Sequence, residues 1–136
     1  MKYSLDKDAE EPERAHPDDA GIDLCANEWL DISPHSGEVI HTGVHLEIPA
    51  GYAGLLVSKS GLNVKHDITT TGLIDSGYTG EIIVKAYNHG DKTYQVNSGD
   101  KITQLVLIPV ATPTLVRCKT IAGGPRGNNG FGSTGK

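Results

Sequence analysis

One carboxylate stands where a general base would be useful. In Gly72-Leu73-Ile74-Asp75-Ser76-Gly77-Tyr78-Thr79-Gly80-Glu81, Asp75 lies between an apolar run and a glycine-punctuated turn, and an aromatic ring follows three residues later. Leu73, Ile74, Ile82, Ile83 and Val84 predict strands on both sides, and Ser76-Gly77 and Thr79-Gly80 predict the turn. Such a hairpin holds Asp75 at a strand end, with Tyr78 beside it at the mouth of a pocket. The plainer reading is a surface hairpin with a solvated Asp.

Three further polar groups carry possible chemistry. Ser58-Lys59-Ser60-Gly61-Leu62 offers a hydroxyl, backbone N–H groups and a cation to an anion. Ser60 is equally suited to cap a short helix, and the two roles are compatible because a capped helix N-terminus attracts anions. Gln104 interrupts a nearly continuous apolar run over residues 101–110. A buried glutamine needs partners, so it is satisfied by the fold or offered to a ligand. Asp23 faces away from Ile22, Leu24 and Ala26, which is most simply a solvated position.

These groups need a scaffold, and the chain predicts one made of strands. The 136 residues suit one domain, and only 5% are aromatic, so the core must come from Val, Ile and Leu. Seventeen Gly and seven Pro predict many turns. Strand signals fall near Tyr3 and Leu5, then over residues 22–26, 39–48, 52–57, 82–87, 101–110 and 114–118. With no long amphipathic helix, no repeat and no second domain, this is an all-β barrel or sandwich. Cys25 and Cys118 sit in apolar strand-like contexts without a CxxC pair, which predicts buried thiols in a reduced cytoplasmic protein. The first residues lack a signal-peptide h-region and no stretch has the length of a membrane span, so no membrane association is expected. A net charge of −5 argues against a nucleic-acid partner. A polyphosphate ligand would need local cations or a metal.

Residues 123–136 are of a different material, with six glycines and almost nothing apolar. This composition predicts a flexible arm separate from a folded domain over residues 1–122. The arm also carries the only Phe of the chain, Phe131, together with Arg126. It is either an idle terminus or a lid that closes over a ligand, with Arg126 on phosphate, Phe131 on a base and glycine N–H groups around the phosphates. Two other patterns are decoys. Residues 130–136 match G-x-x-x-x-G-K, but the Ser/Thr and the helix of a P-loop do not follow. His41 and His45 have the spacing of a zinc helix, yet in a strand they stand about 13 Å apart and cannot share an ion.

In order, these segments resemble the five motifs of the deoxyuridine triphosphatase (dUTPase) family. Residues 20–26 resemble the first, 58–62 the second, 72–81 the third, 99–106 the fourth and 126–135 the fifth. The resemblance implies a jelly-roll-like β-barrel and a homotrimer with shared active sites. It implies hydrolysis of dUTP to dUMP and pyrophosphate, which supplies dUMP for dTMP synthesis and keeps uracil out of DNA. Asp75 would activate the water that attacks the α-phosphorus, and Mg²⁺ would be held mainly by the triphosphate and water. Asp23 would be an indirect, water-mediated metal residue or a partner for nearby Arg and Lys. Lys59, Ser60, Gly61 and Gln104 would contact phosphates, and Tyr78 would pack under the deoxyribose and exclude a 2′-hydroxyl. Backbone groups around Leu73, Ile74 and Ile83 would read uracil. Arg126 would grip the γ-phosphate and Phe131 stack on the base, with Gly132 and Ser133 of the same arm also on the substrate. Lys59 departs from the family's usual Arg. The competing readings are a dCTP deaminase of the same fold and an inert nucleotide-binding homologue.

Overall fold

The computed structural model of the chain describes residues 1–125 and residue 127. Its strands are β1 (Tyr3–Leu5), β2 (Gly21–Cys25), β3 (Leu30–Ile32), β4 (Ser36–Leu46), β5 (Tyr52–Val57), β6 (Ile68–Asp75), β7 (Glu81–Asn88), β8 (Tyr94–Val96) and β9 (Lys101–Pro109). One helix, α1 (Ser60–His66), lies between β5 and β6. Seven strands pair antiparallel in the order β1-β4-β7-β6-β5-β9-β2, and β3 pairs with β8 in a separate ribbon.

Alternation explains which face is covered. In β7, Ile82, Val84 and Ala86 point into the core, while Glu81, Ile83, Lys85 and Tyr87 point out. In β4, Ile40, Thr42, Val44 and Leu46 point inward. Leu24, Ile32, Leu56, Ile82 and Leu105 are all but sealed from solvent, each contributing about 1.5–3 kcal/mol by the usual burial scale. The sheet curls around these side chains. At the end of β2, Ala26 still exchanges hydrogen bonds with Asp100 and Gly99, but the next amide, Asn27 N–H, donates to the His41 carbonyl of β4 at 2.8 Å. One edge of the sheet is thereby carried towards the other, and the fold is an all-β jelly roll. The β4–β7 register shifts between His41 and His45, where Gly43 takes a φ of +65°. This bulge lets β4 bend and follow the curl.

A buried polar anchor ties the ribbon to the main sheet. Asn88, at the end of β7, donates its side-chain amide to the Ile32 carbonyl at 2.9 Å and the Lys92 carbonyl at 2.8 Å. Its own carbonyl accepts from Gly90 N–H at 3.0 Å.

Three expectations need correction. Residues 114–118 form no strand, because among the described residues no edge pairs with them; Leu115 and Val116 are 94% and 81% exposed. Cys118 is therefore exposed, while Cys25 is buried as expected. Ser60 does not cap α1: Lys59 occupies the cap, without a side-chain cap bond, and Ser60 is the first helical residue. The short β3 and β8 carried too few residues for a legible alternation.

Replacing Asn88 by Ala would strand the buried Ile32 carbonyl and the partly buried Lys92 carbonyl and Gly90 N–H. The expected cost is about 2 kcal/mol or more, measured as a lower urea midpoint at unchanged slope.

Candidate functional site

The β6–β7 hairpin is built by one tight turn. Tyr78 N–H donates to the Asp75 carbonyl at 3.2 Å, and Gly77, at the third turn position, has a φ of +88°. A turn with positive φ only at that position is type II, for which glycine is the favoured residue. β6 thus ends at Asp75. The Tyr78 ring then folds back over Gly80, where an added Cβ would lie 2.5 Å from the phenolic oxygen. The Tyr78 hydroxyl donates to the Glu81 carbonyl at 2.9 Å and fixes the ring.

A cavity of about 210 Å³ opens on this hairpin, lined by Leu73, Ile74, Asp75, Tyr78, Glu81 and Ile83. The hairpin therefore brings together a carboxylate, an aromatic face and an apolar floor. A larger hollow of about 340 Å³ beside α1, with Lys65, His66 and Tyr94 in its wall, holds none of the residues anticipated from the sequence.

A second group assembles on neighbouring strands. Thr71, Val57, Gln104 and Asp23 are successive register partners across β6, β5, β9 and β2. Gln104 Nε2 donates to the Ser58 carbonyl at 3.3 Å. An added Cβ at Gly21 would fall 2.2 Å from Gln104 Oε1, so only glycine leaves the amide its seat. At Gly61 the reverse holds: an added Cβ would meet nothing within 4 Å. Among the described residues nothing demands glycine there, and the open space admits close approach from outside.

Asp23 is not solvated. Its buried carboxylate holds Lys59 Nζ on one oxygen and Lys101 Nζ at 3.2 Å on the other. Burial alone would push its pKa up, but the hydrogen bonds from Lys59 and Lys101 outweigh this and hold it below the ordinary carboxylate range. Lys101 also reaches Glu13 at 2.6 Å. Both oxygens of Asp23 are thus committed to ammonium groups, which suits a partner for lysines better than a metal residue. Among the described residues no group of three or more His, Cys, Asp or Glu side chains is placed to hold an ion.

The two groups are apart. Asp75 lies four residues along β6 from Thr71, and Gln104 two strands over from it, which separates them by roughly 16 Å at ordinary strand rise and spacing. Arg126, Phe131, Gly132 and Ser133 lie outside the described residues. Sequence reasoning missed Gly21, Lys101 and Glu81. Gly21 was read within the motif at residues 20–26, and Lys101 as the start of a strand.

The family model described as dUTPase matches residues 7–135. A deoxyuridine 5'-triphosphate nucleotidohydrolase of Clostridium tetani is 41% identical, over 97% of this chain and 93% of its own length. That of Gloeobacter violaceus is 43% identical, over 91% of this chain and 88% of its own length. Among solved structures, Staphylococcus bacteriophage 80alpha dUTPase with dUPNHPP superposes with a TM-score of 0.91 at 33% identity, covering 99% of this chain and 98% of that one. A point mutant of the dUTPase from phage phi11 of S. aureus, described with a structural Mg(II) ion, gives 0.81 at 33% identity over 88% of this chain and 97% of that one.

Because the folded-state pKa of Asp23 is depressed, its ion pairs stabilise above the ordinary carboxylate pKa and are lost as pH falls through the lowered value. Asp23→Asn should cost about 1–3 kcal/mol at neutral pH, less than a fully sealed pair because both lysines stay partly wet. It should also flatten the loss of melting temperature on acidification.

Proposed function

We infer that this chain, which belongs to the dUTPase family, hydrolyses dUTP to dUMP and pyrophosphate. The observation that carries the reading is the hairpin cavity, whose lining combines Asp75 and Tyr78 with the apolar Leu73, Ile74 and Ile83. A uracil deoxynucleoside suits that combination: a flat base against Leu73, Ile74 and Ile83, and a sugar against the phenol. Backbone groups of the hairpin supply hydrogen bonds to the uracil edge. A ring pinned by its hydroxyl cannot move aside for a 2′-hydroxyl, so ribonucleotides are excluded by shape.

In this reading Asp75 accepts a proton from a water molecule. The water oxygen bonds to the α-phosphorus, the bond to the α,β-bridging oxygen breaks, and pyrophosphate leaves. Lys59, Ser60, Gly61 and Gln104 bind and orient the phosphates. Asp23 acts one step back, holding the Lys59 ammonium in place. Gly21 keeps the Gln104 amide where the register of β9 sets it. The lack of a carboxylate cage among the described residues fits an Mg²⁺ carried by the triphosphate and water rather than by the protein. That ion supplies charge neutralisation on the phosphates when bound.

The separation of the two groups supports a shared site. A single nucleotide cannot put its α-phosphate beside Asp75 and also beside Gln104 of one copy across roughly 16 Å of sheet, so the phosphate-binding group comes from a second copy. The homotrimer of the family supplies that arrangement. Besides the side chains that line the cavity, the outward sheet face carries exposed Val39 and Tyr87, as a face covered by another copy would. The exposed segment 110–125 leads to residues 123–136, whose Arg126, Phe131, Gly132 and Ser133 would close over the substrate. No helix among the described residues is long and apolar enough to cross a membrane; a cytoplasmic setting suits a nucleotide substrate and two free cysteines.

The test is pyrophosphate release from dUTP against UTP, dCTP and dTTP, with and without Mg²⁺. Release from dUTP alone supports the reading. Ammonia from dCTP would place the chain with the deaminases instead. Asp75→Asn should keep dUTP affinity and lower turnover on the order of 10²-fold, measured by single-turnover kinetics; near-normal turnover removes Asp75 from the mechanism. Deletion from Pro125 onward should leave the oligomer intact and sharply cut hydrolysis.

A further inference from the structure

Glu81 lines the same cavity as Asp75 and Tyr78, yet the reaction outlined above gives it no task. Its side chain turns away from the turn and reaches β4. Oε1 accepts from Gly43 N–H at 2.9 Å and Oε2 from His41 Nδ1 at 2.8 Å. The acceptors and donors meet at the β-bulge, where the register between β4 and β7 slips and the ladder leaves backbone groups free. Two residues further, His45 Nδ1 donates to the Thr79 carbonyl at 3.0 Å, while its Nε2 faces Asp6 Oδ1 at 3.3 Å. Both ends of the stretch 79–81 are therefore tied to β4 by imidazoles. Between those ties lies Gly80, the surface on which the Tyr78 ring rests, and at the far tie is the carbonyl that accepts the Tyr78 hydroxyl.

We propose that Glu81 and His41, with His45 as the second tie, are positioning residues for the sugar pocket: they set the Tyr78 ring and so control discrimination between deoxyribose and ribose. The inference rests on the dUTP reading above. The ring has no other hydrogen bond among the described residues to hold its tip, so the Glu81 carbonyl is the reference point for the pocket wall. That carbonyl moves with the Glu81 backbone, which pairs with His45 in the ladder and is tied a second time, by its side chain, to Gly43 and His41 at the bulge.

The clamp is charged, so it titrates. Every titratable group facing it raises the imidazoles: Glu81 and then Glu28 at His41, whose own backbone N–H donates to Glu28 Oε1 at 2.8 Å, and Asp6 and Glu81 at His45. The hydrogen bond to Glu81 is the main cause at His41, and the bond to the Thr79 carbonyl at His45. Glu81 is held below the ordinary carboxylate range: burial opposes this, but the bonds from His41 and Gly43 outweigh it. A raised histidine contributes fully below its ordinary pKa and is lost as pH rises through the raised value. The clamp is thus complete below the ordinary histidine pKa and loosens as pH rises through the raised value.

The experiment compares dUTP and UTP hydrolysis by the native chain, its Glu81→Gln and Glu81→Ala variants, and a His41→Gln variant at a half-exposed ring. Expected are a rise in KM for dUTP of about three- to tenfold with kcat within twofold, and a fall of about tenfold in the dUTP:UTP ratio of kcat/KM, the scale of one charged hydrogen bond. The native KM should rise with pH through the raised histidine value, and His41→Gln should flatten that rise. A folded variant set with native selectivity and a native pH profile overturns the inference, as does loss of thermal stability alone. If the native chain releases no pyrophosphate from dUTP, the dUTP reading fails instead.

Discussion

The antiparallel register of β6, β5, β9 and β2 governs what this chain can do. These strands bury Ile68, Leu56, Leu105 and Leu24 in the core, and a slip by one residue would turn such a side chain outward. With the register fixed, Gln104 and Asp23 share a row with Thr71, and Asp75 stands four residues beyond it. Neither group can drift toward the other without breaking the ladder. The distance between the two halves is therefore a property of the sheet, and it is the basis of the proposal that the site draws on more than one copy.

Local devices then hold each half rigid. On the hairpin, Gly77 allows the turn and Gly80 allows the ring to fold back, so two glycines place one carboxylate and one phenol. On the other half, the carboxylate of Asp23 is buried against two ammonium groups, which fixes Lys59 more firmly than a surface pair would. A lysine offers a point charge without the bidentate fork of arginine. Pinning by a buried carboxylate compensates for part of that lost geometry. Gly21 belongs to the same half, because its missing side chain is the space that Gln104 fills.

Much of this was legible in the sequence because it is local. Tyr52–Val57 is the strand its composition predicted, and the turn at Ser76-Gly77 needed only neighbours in sequence. What was illegible depends on pairing at long range. Residues 114–118 have a strand composition, but a strand needs an edge, and among the described residues of one copy none is offered to them. Asp23 read as solvated because its partners, Lys59 and Lys101, are distant in the chain and close only after folding. Glu81 read as the end of a turn because its partner Gly43 lies on β4, across a bulge that no periodicity announces. Cys118 read as buried for the same reason that residues 114–118 read as a strand.

The direct test of a site assembled between copies is complementation. Asp75→Asn and Gln104→Ala variants, each with little activity alone, would be co-expressed and the mixed oligomer assayed for pyrophosphate release from dUTP. If each site takes Asp75 from one copy and Gln104 from another, random assembly restores about a quarter of the native sites. Activity in the mixture no higher than in the separate variants would contradict the shared site, because both halves would then have to come from the same chain.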